Sequence, residues 1–286
     1  MAENKEYRSD VFSMLLEDKR NALEVYNALN GTSYDDPDAV TVVTLKKGIS
    51  LSMRNDAAFI VDMNLNIYEH QSTYNPNMPL RSLFYLEEIL KPLFKNVDLL
   101  RRKRIMIPTP RFVVFYNGVE KRPAVETLKL SDSFEPHIEN PELELICTVY
   151  NINPGFNDEF LGKCHVLSDY MQLVLKVIEY KEQEDEEAVS HAIDYCMEHG
   201  ILEDFLSDKR EEVEKNMTLD MTWEHREKLI RQDERAEGRV EGRIEGRIDS
   251  VAKFLSKGKT DEEAKELLDA TDEEISKAKE LLLASV

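Results

Sequence analysis

The stretch from Asn55 to Thr73 limits most sharply what this chain can fold into. Asn55-Asp56-Ala57-Ala58-Phe59-Ile60-Val61-Asp62 is an apolar run with an aspartate at its mouth. Ile67-Tyr68-Glu69-His70-Gln71-Ser72-Thr73 reads as a returning strand, and Asn64-Leu65-Asn66 is expected to supply the turn. Side chains alternate along a strand, so Glu69 and Gln71 share one face while Tyr68 and His70 take the other. A carboxylate at the start of one strand and Glu-x-Gln on its neighbour is the arrangement of a two-carboxylate Mg²⁺ site. That ion is commonly held by one or two carboxylates plus waters and substrate phosphates. His70 points away from the pair and is expected to be a packed histidine rather than a ligand.

The flanking segments alternate helix and strand. Apolar residues at Val11, Leu15, Leu16, Leu23, Val25 and Ala28 predict one helix from Asp10 to Leu29, stopped at Asn30-Gly31. Thr41 to Leu45 predicts a short strand. Pro79 sits in the expected first turn of a helix from Leu80 to about Phe94. Arg81 falls in that turn, where it either meets a phosphate or pairs with a neighbouring carboxylate. Arg111–Tyr116 and Leu143–Tyr150 predict two more strands, the first turned by Asn117-Gly118. Helix, three strands, helix and two further strands make an α/β core with a mixed central sheet.

From Leu167 onward the pattern is helical, with apolar faces at Tyr170, Leu173, Val174 and Val177 and at Val189, Ala192, Ile193 and Cys196. Glu237-Gly-Arg-Val, Glu241-Gly-Arg-Ile and Glu245-Gly-Arg-Ile form an internal repeat. Helical glycine costs roughly 1 kcal/mol against alanine, so this segment is read either as a self-associating stalk or as a linker. Thr260-Asp-Glu-Glu263 and Thr271-Asp-Glu-Glu274 are capping boxes that predict two short helices.

Composition closes several other classes. The 286 residues carry a formal net charge of −20, which argues against nucleic-acid binding by the chain as a whole. Basic residues cluster at Arg101-Arg102-Lys103-Arg104, Arg111, Lys121 and Arg122, close to the candidate site in sequence, so the local field decides the matter. No apolar run reaches the roughly 18 residues of a membrane span, and the opening residues are too charged for a signal peptide. Cys147, Cys164 and Cys196 show no CxxC pairing, so a reducing cytoplasm is expected.

Arg54-Asn55-Asp56, Glu69-His70-Gln71-Ser72-Thr73, Asn75-Pro76-Asn77-Met78-Pro79-Leu80-Arg81, Pro108-Thr109-Pro110 with Phe112–Gly118, and Val149-Tyr150-Asn151-Ile152-Asn153 together resemble the Rpn family. Its members are recombination-promoting nucleases and putative transposases of the PD-(D/E)XK superfamily. The resemblance covers the chain from Asp10 to about Trp223. It implies an αβββαβ nuclease-like core over residues 1–165, a helical extension packing on it over 166–232, and the repeat stalk and helical tail over 233–286. It implies a cytoplasmic, Mg²⁺-dependent DNA endonuclease, with Mn²⁺ and Ca²⁺ as alternative ions and the C-terminal helices as a means of homo-oligomer formation. Asp56 and Glu69 become metal ligands and Gln71 the water-positioning residue. Arg81, Arg101, Arg102, Lys103 and Arg104 become phosphate contacts. The superfamily usually has lysine where this chain has Gln71. An amide orients water but neither takes its proton nor carries charge, leaving Lys46, Lys47 and Arg81 as candidates for the missing cation. The competing expectations are a catalytically degenerate fold acting as an interaction module through its acidic tail, and an RNA-directed nuclease.

Overall fold

In a computed structural model, which describes residues 10–45, 55–218, 246–268 and 270–284, the expected helix from Asp10 to Leu29 is two helices. The helices are α1 (Asp10–Glu17) and α2 (Lys19–Asn30), and the break falls at Asp18. Asp18 is extended, and its carboxylate accepts the Arg20 backbone N–H at 2.7 Å, so it caps α2. Gly31 closes that helix with a positive φ of 64°.

The strands follow: β1 (Thr41–Val42), β2 (Ala57–Val61) and β3 (Asn64–Gln71). The hairpin between β2 and β3 turns at Asp62-Met63 rather than at Asn64-Leu65-Asn66. Both turn residues have positive φ, 45° and 58°, as a two-residue type I′ loop requires. Asn64 is the first residue of the returning strand, opposite Val61, and its side-chain amide donates to the Asp62 carbonyl at 3.1 Å. The shift sets the register: Ala57 pairs with Tyr68, so one step further Asp56 stands across from Glu69.

Helix α3 (Met78–Leu93) crosses over to β4 (Thr109–Tyr116), which runs parallel to β3. Strand β5 (Val125–Lys129) precedes β6 (Ile146–Asn151), which lies parallel to β4 and antiparallel to β5. The six-stranded mixed sheet has the order β1-β2-β3-β4-β6-β5. This is the expected α/β class, with one more strand than the sequence reading contained. One face of the sheet meets α3, burying Met78, Tyr85 and Ile89 against Leu65, Ile67, Val114 and Val149. On the other, Phe12 of α1 and Tyr170 of α5 (His165–Glu182), which follows the single turn α4 (Asp158–Leu161), pack on His70 and Phe115. Helix α6 (Ala188–Glu198) and the helix over residues 203–218 complete the described part of this unit.

The chain divides into two units, Met1–Asp220 and Met221–Val286. The second contains helices over residues 246–255, Asp261–Leu268 and Asp272–Ala284, joined around Ile248, Val251, Ala264, Ile275 and Ala278. Both capping boxes form as expected. Thr260 and Glu263 exchange backbone-to-side-chain bonds at 2.9 and 3.2 Å, and Thr271 and Glu274 do the same at 2.9 and 3.2 Å. Apart from its last residues, the Glu-Gly-Arg repeat lies outside the described residues, and so does the stalk assigned to it. Among the described residues no helix is long and apolar enough to cross a membrane. All three cysteines are free and buried.

Candidate metal centre

The hairpin register and the α3 crossover bring Asp56, Glu69 and Arg81 together. Asp56, just before β2, and Glu69, near the end of β3, are both buried. The Asp56 backbone N–H donates to Glu69 Oε1 at 3.2 Å. The His70 backbone N–H donates to Asp56 Oδ2 at 2.7 Å. Each carboxylate is therefore oriented by the backbone of the opposite strand. Gln71, also buried, follows Glu69 on the same face, and its carbonyl accepts the Asn117 N–H at 3.0 Å.

Asn77-Met78-Pro79 starts α3 directly over this end of β3, with Pro79 inside the first turn as expected. Arg81 extends from that turn to Glu69 Oε2, Nη2 to oxygen 3.1 Å. Of the two roles expected for Arg81, the structure contains the carboxylate pairing. Its side chain is 40% exposed and that of Glu69 only 5%, so the guanidinium stands at the rim and the carboxylate beneath it. The Tyr85 hydroxyl accepts from Arg81 Nε at 3.1 Å and from Nη2 at 2.6 Å. Tyr85 was missed in the sequence reading, although a spacing of four from Arg81 places both on one helix face.

Burial, the nearby Asp56 charge and the weaker opposing influence of Arg81 hold the Glu69 carboxyl well above its ordinary value. Two carboxylates this close repel each other in a desolvated site, and a divalent cation would relieve both the repulsion and the cost of burial. All-oxygen donors from two carboxylates suit a hard cation that keeps part of its water shell. The residues present thus fit Mg²⁺ or Mn²⁺, with Asp56 and Glu69 as the ligands. Among the described residues no cluster of three or more His, Cys, Asp or Glu side chains forms a fuller cage.

His70 lies on the opposite face. Its ring stacks on Phe12 at 5.5 Å between centroids and meets Tyr170 edge-on at 5.4 Å, and Nε2 lies 3.3 Å from the Tyr170 hydroxyl. Burial lowers its pKa to about 4, so the ring is neutral at pH 7. The site uses its backbone N–H, not its imidazole.

Arg101, Arg102, Lys103 and Arg104 are not brought to this centre. All four are exposed, in the connection that leaves the far end of α3. That connection enters β4 where Thr109 pairs with Asn64, at the start of β3, whereas Glu69 and Gln71 end the strand. The 16 residues of α3 separate the two ends by about 24 Å. Proximity in sequence does not carry over into space here, because a parallel crossover returns the chain to the opposite end of the strands. Lys46 and Lys47 lie outside the described residues.

The remaining polar motifs brace the site. A Cβ on Gly118 would sit 2.1 Å from the Ser72 carbonyl oxygen and 2.6 Å from the Tyr116 hydroxyl, so only glycine permits this approach to the end of β3. Asn153 donates to the Gly118 carbonyl at 3.1 Å, and Asn151 to that of Arg122 at 3.1 Å, fixing the loop after β4. A scan of family models, a search of curated proteins and a search of solved structures each return no match to this chain.

Proposed function

We propose that the chain is a metal-dependent phosphodiesterase acting on DNA, an endonuclease of the recombination-promoting, putative-transposase type with a PD-(D/E)XK-like core. The observation that carries this reading is the Asp56–Glu69 pair: two buried carboxylates at neighbouring positions of the β2–β3 hairpin, Glu69 accepting the Asp56 backbone N–H and Asp56 that of His70, under a half-exposed arginine.

Asp56 and Glu69 would hold Mg²⁺, with Mn²⁺ or Ca²⁺ as alternatives, and the ion supplies Lewis-acid charge and an acidified water. Gln71, on the Glu69 face, orients the attacking water through its amide. The water oxygen bonds to phosphorus and gives up one proton to solvent, one phosphorus–oxygen ester bond breaks, and the leaving oxygen takes up a proton from solvent. Arg101, Arg102, Lys103 and Arg104, at the other end of the sheet, are proposed only as contacts to flanking phosphates. The same geometry supports a second reading, a degenerate nuclease fold serving as an interaction module, because Arg81 already pairs with Glu69 where a cation would bind.

The test is nicking of supercoiled plasmid with Mg²⁺, beside single-stranded DNA and single-stranded RNA. Wild type should nick the plasmid, and Asp56→Ala should lose that activity by at least about 10²-fold while melting normally. Nicking by the variant at the wild-type rate contradicts the assignment. Preferential cleavage of RNA would replace DNA as the substrate.

A further inference from the structure

Arg81 occupies one of the two Glu69 carboxylate oxygens, and the Asp56 backbone N–H the other. Its Nη2 reaches Glu69 Oε2 at 3.1 Å, and the guanidinium is also anchored by the Tyr85 hydroxyl, which accepts from the same Nη2 at 2.6 Å and from Nε at 3.1 Å. Tyr85 is 2% exposed and belongs to the α3 core, so this anchor is fixed by packing. Nη1 lies 3.4 Å from the Met78 thioether, a weak acceptor. Arginine presents a planar fork of donors that suits phosphate as well as carboxylate. A guanidinium at the rim, over a buried carboxylate and held from behind by a tyrosine, can release the carboxylate without leaving the site.

We propose that Arg81 is an exchangeable counter-ion of the centre: it pairs with Glu69 in the metal-free protein and transfers to a non-bridging oxygen of the scissile phosphate when a divalent cation takes Glu69. It thereby supplies the positive charge that Gln71 lacks. This inference rests on the reading of Asp56 and Glu69 as a cation site. Its signature is a pair of opposite effects. A neighbouring positive charge and a competing ion pair both oppose cation binding, so removing Arg81 tightens the metal while slowing the chemistry. A merely structural arginine would weaken both.

The experiment is calorimetric titration of Mn²⁺ into full-length wild type, Arg81→Gln and Arg81→Lys, with plasmid nicking and the melting shift induced by Mn²⁺ measured on the same samples. For Arg81→Gln the expected results are roughly tenfold tighter Mn²⁺ binding, a larger Mn²⁺-induced melting shift than wild type, and nicking slowed about 10²-fold. Arg81→Lys keeps a charge without the fork and should recover part of the rate, so the test survives poor folding of the glutamine variant. Weaker Mn²⁺ binding by Arg81→Gln, or nicking at the wild-type rate, overturns the exchange. A wild type whose Mn²⁺ binding is absent or persists in Asp56→Ala overturns the underlying cation site, and the exchange with it.

Discussion

Successive residues of one strand, Glu69 and His70, solve burial in opposite ways. On the α3 face Glu69 is kept near a second carboxylate, and only a half-exposed guanidinium and a backbone N–H offset the cost. On the α1/α5 face His70 is enclosed by Phe12 and Tyr170 and stays neutral. One face is a stable aromatic layer; the other stores electrostatic repulsion that a cation would relieve. The first is what packing alone selects, whereas the second is costly to the fold, the pattern that marks a candidate site.

The strongest way to break the comparison is through the aromatic layer. Phe12 is 1% exposed and contacts His70, Phe115 and Tyr170. Phe12→Ala should cost about 3–5 kcal/mol in urea unfolding, and a loss below about 1 kcal/mol would show that α1 is not part of the core.

The titrations of the two faces should run in opposite directions. His70 has a folded pKa lowered from 6.5 to about 4. Its contribution is therefore fully present above pH 6.5 and is lost as pH falls through about 4, up to about 3 kcal/mol. The Glu69 carboxyl is raised, so its contribution is fully present below its ordinary value and is lost as pH rises through its folded pKa. In metal-free protein, His70→Phe should gain stability relative to wild type as pH falls from 6.5 towards 4. Glu69→Gln should gain relative to wild type as pH rises over the same range. Unfolding midpoints of the three proteins across that range check both signs, and parallel curves would erase the distinction between the faces.

The smallest expected effect is a control. Thr271→Ala removes one half of a capping box in the second unit. It should cost about 1 kcal/mol of that unit's stability and leave nicking unchanged, as read by thermal melting and the plasmid assay.

What the sequence revealed depended on how local the physics was. The capping boxes are contained within four residues, and both formed. Alternation on β3 correctly separated Glu69 from His70, because the period of a strand is rigid. The start of α3 followed from Pro79. Non-local and low-contrast features were not legible. Strand β5 is an exposed edge with little apolar alternation. The break at Asp18 interrupts an otherwise continuous helical pattern. The hairpin turns on Asp62-Met63, despite the cost of a left-handed backbone at methionine and the stronger turn chemistry of the asparagines that follow. That two-residue shift aligns Asp56 with Glu69, so the two residues were readable as candidates while the register that joins them was not. The Arg101–Arg104 cluster is close to the candidate site in sequence but follows the far end of α3, because composition carries no information about which end of a crossover a residue occupies.

The most direct measurement is calorimetric titration of Mn²⁺ into metal-free wild type and Asp56→Ala at neutral pH. The paired carboxylates predict saturable binding below millimolar concentration in wild type and none in the variant. Absence of binding in wild type at millimolar Mn²⁺, or equal binding by Asp56→Ala, would contradict a metal centre built on Asp56 and Glu69.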